Sequence, residues 1–63
     1  MTFREVLKQK EITQVKLAKE LGVTQALISK WVNGELTPRT KMLPKISKIL
    51  NVTVDNVISY FAK

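Results

Sequence analysis

Apolar residues recur at three- to four-residue spacing along almost the whole chain and nowhere alternate in twos, so the pattern predicts helices and no strands. Phe3, Val6 and Leu7 mark the buried side of a first helix over about Thr2 to Gln9, with Arg4, Glu5 and Lys8 outside. Val15, Leu17, Ala18 and Leu21 form the inward stripe of a second, from about Gln14 to Leu21. Ile28, Trp31 and Val32 do the same for a third, from about Gln25 to Val32, and leave Gln25, Ala26, Ser29 and Lys30 on the opposite side. A fourth helix runs from about Leu43 or Pro44 to Leu50, and a fifth from about Val54 to Phe61. Pro44 sets the late start of the fourth. An interior proline costs about 3 kcal/mol, whereas at the first or second helical position its missing amide costs almost nothing. The expected fold is all-α, a compact five-helix domain in which Asn33 to Lys41, with Pro38, form a long loop.

One local device repeats. Ile12-Thr13 with Leu17, Val23-Thr24 with Ile28, and Val52-Thr53 with Val57 each offer a threonine N-cap flanked by two aliphatic residues that can close a hydrophobic staple. Asp55 stands in the first turn of the fifth helix, where a negative charge suits the helix dipole. Gly22 supplies the positive φ that a helix C-cap uses. The segment Thr13 to Gly34 therefore reads as two short amphipathic helices joined by a tight glycine turn. This is the pattern of a helix-turn-helix, in which the second helix is carried into the DNA major groove.

Composition narrows the chemistry. Sixty-three residues make one domain, residues 1–63, near the lower limit for folding without disulfides or metal, and there is no repeat or linker to mark a second. There is no cysteine and no histidine, so disulfides, zinc-finger ligands and the usual general base are all missing; no metal or cofactor is expected. The five acids are scattered and share no helix face, so no catalytic residues can be named and no enzyme is expected. No apolar run approaches the roughly 20 residues of a bilayer span, and the charged start MTFREVLKQK lacks a signal-peptide apolar region. A reducing, cytoplasmic setting is expected. Eleven Lys and Arg against five Asp and Glu give a net charge of +6. Solubility alone would account for that charge equally well, but beside a helix-turn-helix it points to nucleic acid.

Taken together, Gln14, the run LAKELGVTQ, Ile28, the pair Asn33-Gly34 and the later LPKISKILNVTVDNV resemble the phage repressor and Cro (XRE-like) type of helix-turn-helix over nearly the whole chain. The resemblance implies a five-helix domain that binds DNA, usually as a symmetric dimer on a palindromic operator. Many members pair an Arg late in the first helix with a Glu near the end of the third. Leu7 and Val32 stand at those places here, a coherent exchange of a buried ion pair for apolar groups.

The candidate base-contacting residues are Gln25, Ala26, Ser29 and Lys30. An amide at Gln25 can bond adenine N6 and N7 together, Ala26 can meet a thymine methyl, and Lys30 can reach a guanine or a phosphate. The competing readings are a solvated glutamine, a good helix former and an ordinary surface charge. Gln14 and Thr24 stand where free amides at helix N-termini attract phosphate oxygens, although both can serve as caps alone. Asn33, Thr37, Arg39 and Lys41 complete the expected phosphate or minor-groove set, with Arg39 resembling the family arginine that approaches a narrow minor groove. Leu27 is open between two roles: plugging the loop from Leu36 to Thr40, or facing a thymine methyl.

Trp31 falls on the face of Ile28 and Val32 and is read as core, because a single-strand binder would present several exposed aromatics. Tyr60 and Phe61, with Val57 and Ile58, can bury against the first helix or against a second subunit, which makes the fifth helix the candidate contact of a homodimer. The leading functional expectation is a sequence-specific phage or bacterial repressor of double-stranded DNA operators. The alternatives are an antitoxin-type interaction module with autoregulatory DNA binding, or the DNA-binding fragment of a longer repressor.

Overall fold

The computed structural model describes residues 1–62; Lys63, included in the predicted domain, lies outside the described residues. Five helices follow in order: α1 Phe3–Gln9, α2 Gln14–Leu21, α3 Gln25–Val32, α4 Leu43–Leu50 and α5 Val54–Phe61, with a 3-10 turn over Thr40–Met42 leading into α4. The described residues contain no strand. No helix exceeds eight residues. Isolated helices this short are marginal in water, so their ends and their packing must hold them.

Four N-termini are held by the same residue type. The hydroxyl oxygens of Thr2, Thr13, Thr24 and Thr53 accept from the backbone amides of Glu5, Lys16, Leu27 and Asn56 at 3.1–3.2 Å. Each such cap contributes about 1 kcal/mol. Thr2, expected as the first residue of the opening helix, is instead its cap. Its backbone N–H also donates to Glu5 Oε1 at 3.0 Å, which completes a capping box. That donation foremost, then the Thr2 hydroxyl, holds the exposed Glu5 carboxyl below its ordinary range. At α4 the device is absent: no side chain caps Met42, and Pro44 sits in the first turn, where it has no amide to satisfy.

Three connections share one geometry. Glu11, Gly22 and Asn51 adopt left-handed backbone with φ of 57°, 73° and 57°. The aliphatic residue that follows each one bonds back across the turn, Ile12 to the Leu7 carbonyl at 2.9 Å, Val23 to Ala18 at 3.0 Å and Val52 to Ser47 at 3.0 Å. These are Schellman ends, and in each the next residue is the threonine that caps the following helix.

The core gathers Phe3, Val6 and Leu7 of α1, Leu17, Ala18 and Leu21 of α2, Ile28 and Trp31 of α3, Ile46 and Leu50 of α4, and Val57 of α5. The Phe3 ring meets Trp31 edge-on with centroids 6.5 Å apart and lies 4.8 Å from Phe61, so α1 is clasped between the third and fifth helices. Two expectations need correction. Val15 is 58% exposed, because at roughly 100° per residue it lies about 110° around the helix from the centre of the stripe formed by Leu17, Ala18 and Leu21. Val32, on the inward side but in the last turn of α3, is half-buried at the rim of the core.

Candidate nucleic-acid interface

The turn Gly22-Val23-Thr24 fixes α3 against α2, and the buried Ile28 and Trp31 anchor α3 to the core. Of the four predicted base-contacting residues, Gln25, Ala26 and Lys30 are exposed and Ser29 is half-buried. They occupy one side of a helix turned away from Ile28, with Gln25 at its first position after the Thr24 cap. The structure therefore brings an amide, a methyl, a hydroxyl and an ammonium onto a single solvent-facing strip, an assortment able to address base edges.

The flanking candidates fall into three places. Gln14 opens α2 and is half-buried; Thr24, exposed, keeps its hydroxyl proton although its oxygen already accepts from Leu27. Asn33 caps the C-terminus of α3, and its Oδ1 accepts from Arg4 Nη2 at 2.9 Å. Thr37, Arg39 and Lys41 are exposed along the α3–α4 loop, where they border an open cavity of about 430 Å³ with an apolar floor that includes Leu27, Trp31, Pro38 and Met42. Leu27 is thus half-buried beneath that loop, the first of its two open roles.

Arg4 has no place among the sequence-derived candidates. Its partner is 29 residues away, and neither helical periodicity nor a local motif connects them. In α5, Val57 is fully buried in the core of the protomer and cannot also form a surface for a second subunit, which corrects that part of the expected dimer patch. Phe61 packs on Phe3, while Ile58 remains 49% exposed beside an apolar hollow lined by Pro38, Leu43 and Phe61. Among the described residues no cluster of side chains suited to a metal is found, and no helix is long and apolar enough to cross a membrane.

Short capped helices, a glycine turn between α2 and α3 and a polar strip on α3 define a helix-turn-helix domain. The helix-turn-helix family matches residues 3–57, and the chain belongs to it, as the resemblance to its phage repressor and Cro branch implies. Among curated proteins it is similar to the HTH-type transcriptional activator BcrR of Enterococcus faecalis, 41% identical over an alignment of 63 positions that covers 94% of this chain and 31% of that protein. It is also similar to the ImmF control region 10 kDa protein of Bacillus phage phi105, 33% identical over 53 residues, 84% of this chain and 59% of that one. The chain thus spans about a third of the first relative and under two thirds of the second. No solved structure matches.

Proposed function

We infer that this chain is a DNA-binding domain for transcription regulation, which reads a specific duplex site by laying α3 in the major groove. The carrying observation is the strip of exposed Gln25, Ala26 and Lys30 with half-buried Ser29, on a helix whose opposite side is locked into the core, in a family member of net charge +6. Gln14, Thr24, Asn33, Thr37, Arg39 and Lys41 flank that strip as phosphate or minor-groove contacts. Two copies sit on a palindromic operator, joined through the exposed Ile58 and the neighbouring Tyr60 and Phe61. In the simplest mechanism the bound protein represses by occupying the operator and blocking polymerase.

A second reading, activation, is favoured by the name of the Enterococcus relative, and in it the domain delivers further chain to a promoter. Selection of bound sites from a random duplex pool, followed by transcription from a promoter carrying the selected site, separates the two. Binding should fall steeply with salt, with a slope of about 0.9 in log affinity per phosphate neutralised. Gln25→Ala should weaken the selected site by about 1–3 kcal/mol and relax preference at one base pair. Unchanged preference at every position would remove α3 as the reader.

A further inference from the structure

Family members commonly join the first helix to the end of the third through a buried ion pair, and in this chain both of those positions are apolar, Leu7 and Val32. The structure nevertheless joins the same two helices by a polar bond, one helical turn earlier on α1 and one residue later on α3. Arg4 Nη2 donates to Asn33 Oδ1 at 2.9 Å, and both residues are exposed. We propose that Arg4 is a DNA-phosphate contact of this domain and, through Asn33, the residue that orients the phosphate-facing amide at the end of the recognition helix. The proposal rests on the DNA-binding reading and deepens it.

Three features carry the assignment. First, an amide has one accepting oxygen and one donating nitrogen. With Oδ1 held by the guanidinium, the Asn33 NH₂ is the part of the amide left to donate, which is what a phosphate oxygen requires. Second, the Arg4 partner is neutral, so this hydrogen bond does not cancel the guanidinium charge. The neighbouring Glu5 carboxylate is directed elsewhere, its Oε1 accepting from the Thr2 backbone N–H in the capping box. Third, guanidinium has five donors in a planar fork. One holds Asn33, and the rest can serve the same phosphate, which is how arginine makes geometrically specific contacts with oxyanions.

The test compares the unchanged protein with Arg4→Ala, Arg4→Lys, Asn33→Ala and the Arg4→Ala/Asn33→Ala pair, on a selected duplex at several salt concentrations. Thermal melts confirm that each variant is folded. Arg4→Ala should weaken binding on the order of tenfold and lower the salt slope by about 0.9. Asn33→Ala should weaken binding with no change of slope, since it removes no charge. The pair should lose less than the product of the two singles, because each acts partly through the other. Arg4→Lys should restore the slope but only part of the affinity. Wild-type affinity and slope in a folded Arg4→Ala would overturn the proposal, as would strict multiplicativity of the pair. Failure of the unchanged protein to select any duplex would instead overturn the DNA-binding reading itself, and this assignment with it.

Discussion

Four helices of this chain end in a left-handed residue, yet only three of those ends lead straight into another helix. After Glu11, Gly22 and Asn51 come an aliphatic residue and a capping threonine, and the next helix begins at once. After Gly34, at φ 77°, the same two bonds form, Gly34 N–H to the Trp31 carbonyl at 3.2 Å and Glu35 N–H to Lys30 at 2.9 Å. Here, however, the residue following the glycine is Glu35, which has nothing to bury, and Leu36 rather than a threonine comes next. The chain therefore stays out of helix until the 3-10 turn at Thr40–Met42. Identical hydrogen bonding thus stops a helix in all four cases. What restarts one is the aliphatic anchor and the hydroxyl. The place where both are missing is where Thr37, Arg39 and Lys41 gather.

The largest way to break the well-packed side of this contrast is through Leu7, which is 5% exposed and whose carbonyl receives the Ile12 turn bond. Leu7→Arg should cost about 3–5 kcal/mol as an unpaired buried charge. Val32→Glu, at a half-buried rim position, should cost less. If the two side chains meet, the double variant should recover part of the combined loss. A double-mutant cycle by urea unfolding reads this, and strict additivity would show that they do not touch.

Next come the glycines. A Cβ at Gly22 or at Gly34 would meet nothing within 4 Å, so Ala at either position is penalised by backbone conformation alone, at about 1 kcal/mol. Equal destabilisation would confirm that the two ends are stopped alike. Glu11→Gly should have the opposite sign, since it relieves a non-glycine residue at φ 57°. Smaller still is a two-glycine insertion between Leu36 and Thr37. Loop entropy changes slowly with length, so it should cost only about a few tenths of a kcal/mol in stability. Its effect belongs in DNA affinity, through Arg39 and Lys41; an insertion that unfolded the domain would show the loop to be as structural as the turns.

The smallest effect concerns pH. The Glu5 carboxyl is held below its ordinary range by the folded capping box, foremost by the Thr2 backbone N–H. Its stabilising contribution is therefore complete above the ordinary carboxylate pKa and is lost as pH falls through the lowered one. Glu5→Gln should flatten the acid limb of stability against pH; an unchanged limb would mean that the box does not persist in solution.

The helices were legible because their apolar period and their threonines agree. The second, third and fifth run as expected, and Pro44 placed the start of the fourth. The Thr2–Glu5 spacing of a capping box also stands in the sequence, but reading Thr2 as the first residue of α1 misses it. Three features were not legible. Glu11 is an improbable residue for left-handed backbone and is held there by its surroundings rather than by its own preference. The exposure of Val15 depends on which three of the four apolar residues of α2 face the core, and these are Leu17, Ala18 and Leu21. The Arg4–Asn33 bond joins residues that only the packing of α1 on α3 brings together. Within the candidate site, the α3 strip followed from helical phase, whereas the clustering of Thr37, Arg39 and Lys41 around a cavity required the tertiary course of the loop.

The repeated turns also bear on how quickly the molecule assembles. Each joins helices adjacent in the chain, and α2 with α3 and α4 with α5 form the most extensive pairings, so most of the ordering closes only short loops. Helical domains built from such near-neighbour contacts reach their native state in roughly microseconds to milliseconds. Bringing Phe3 against Phe61 is different, because it joins the two ends of the described chain. That closure carries the greatest loop entropy and is the step on which the folding rate should depend most.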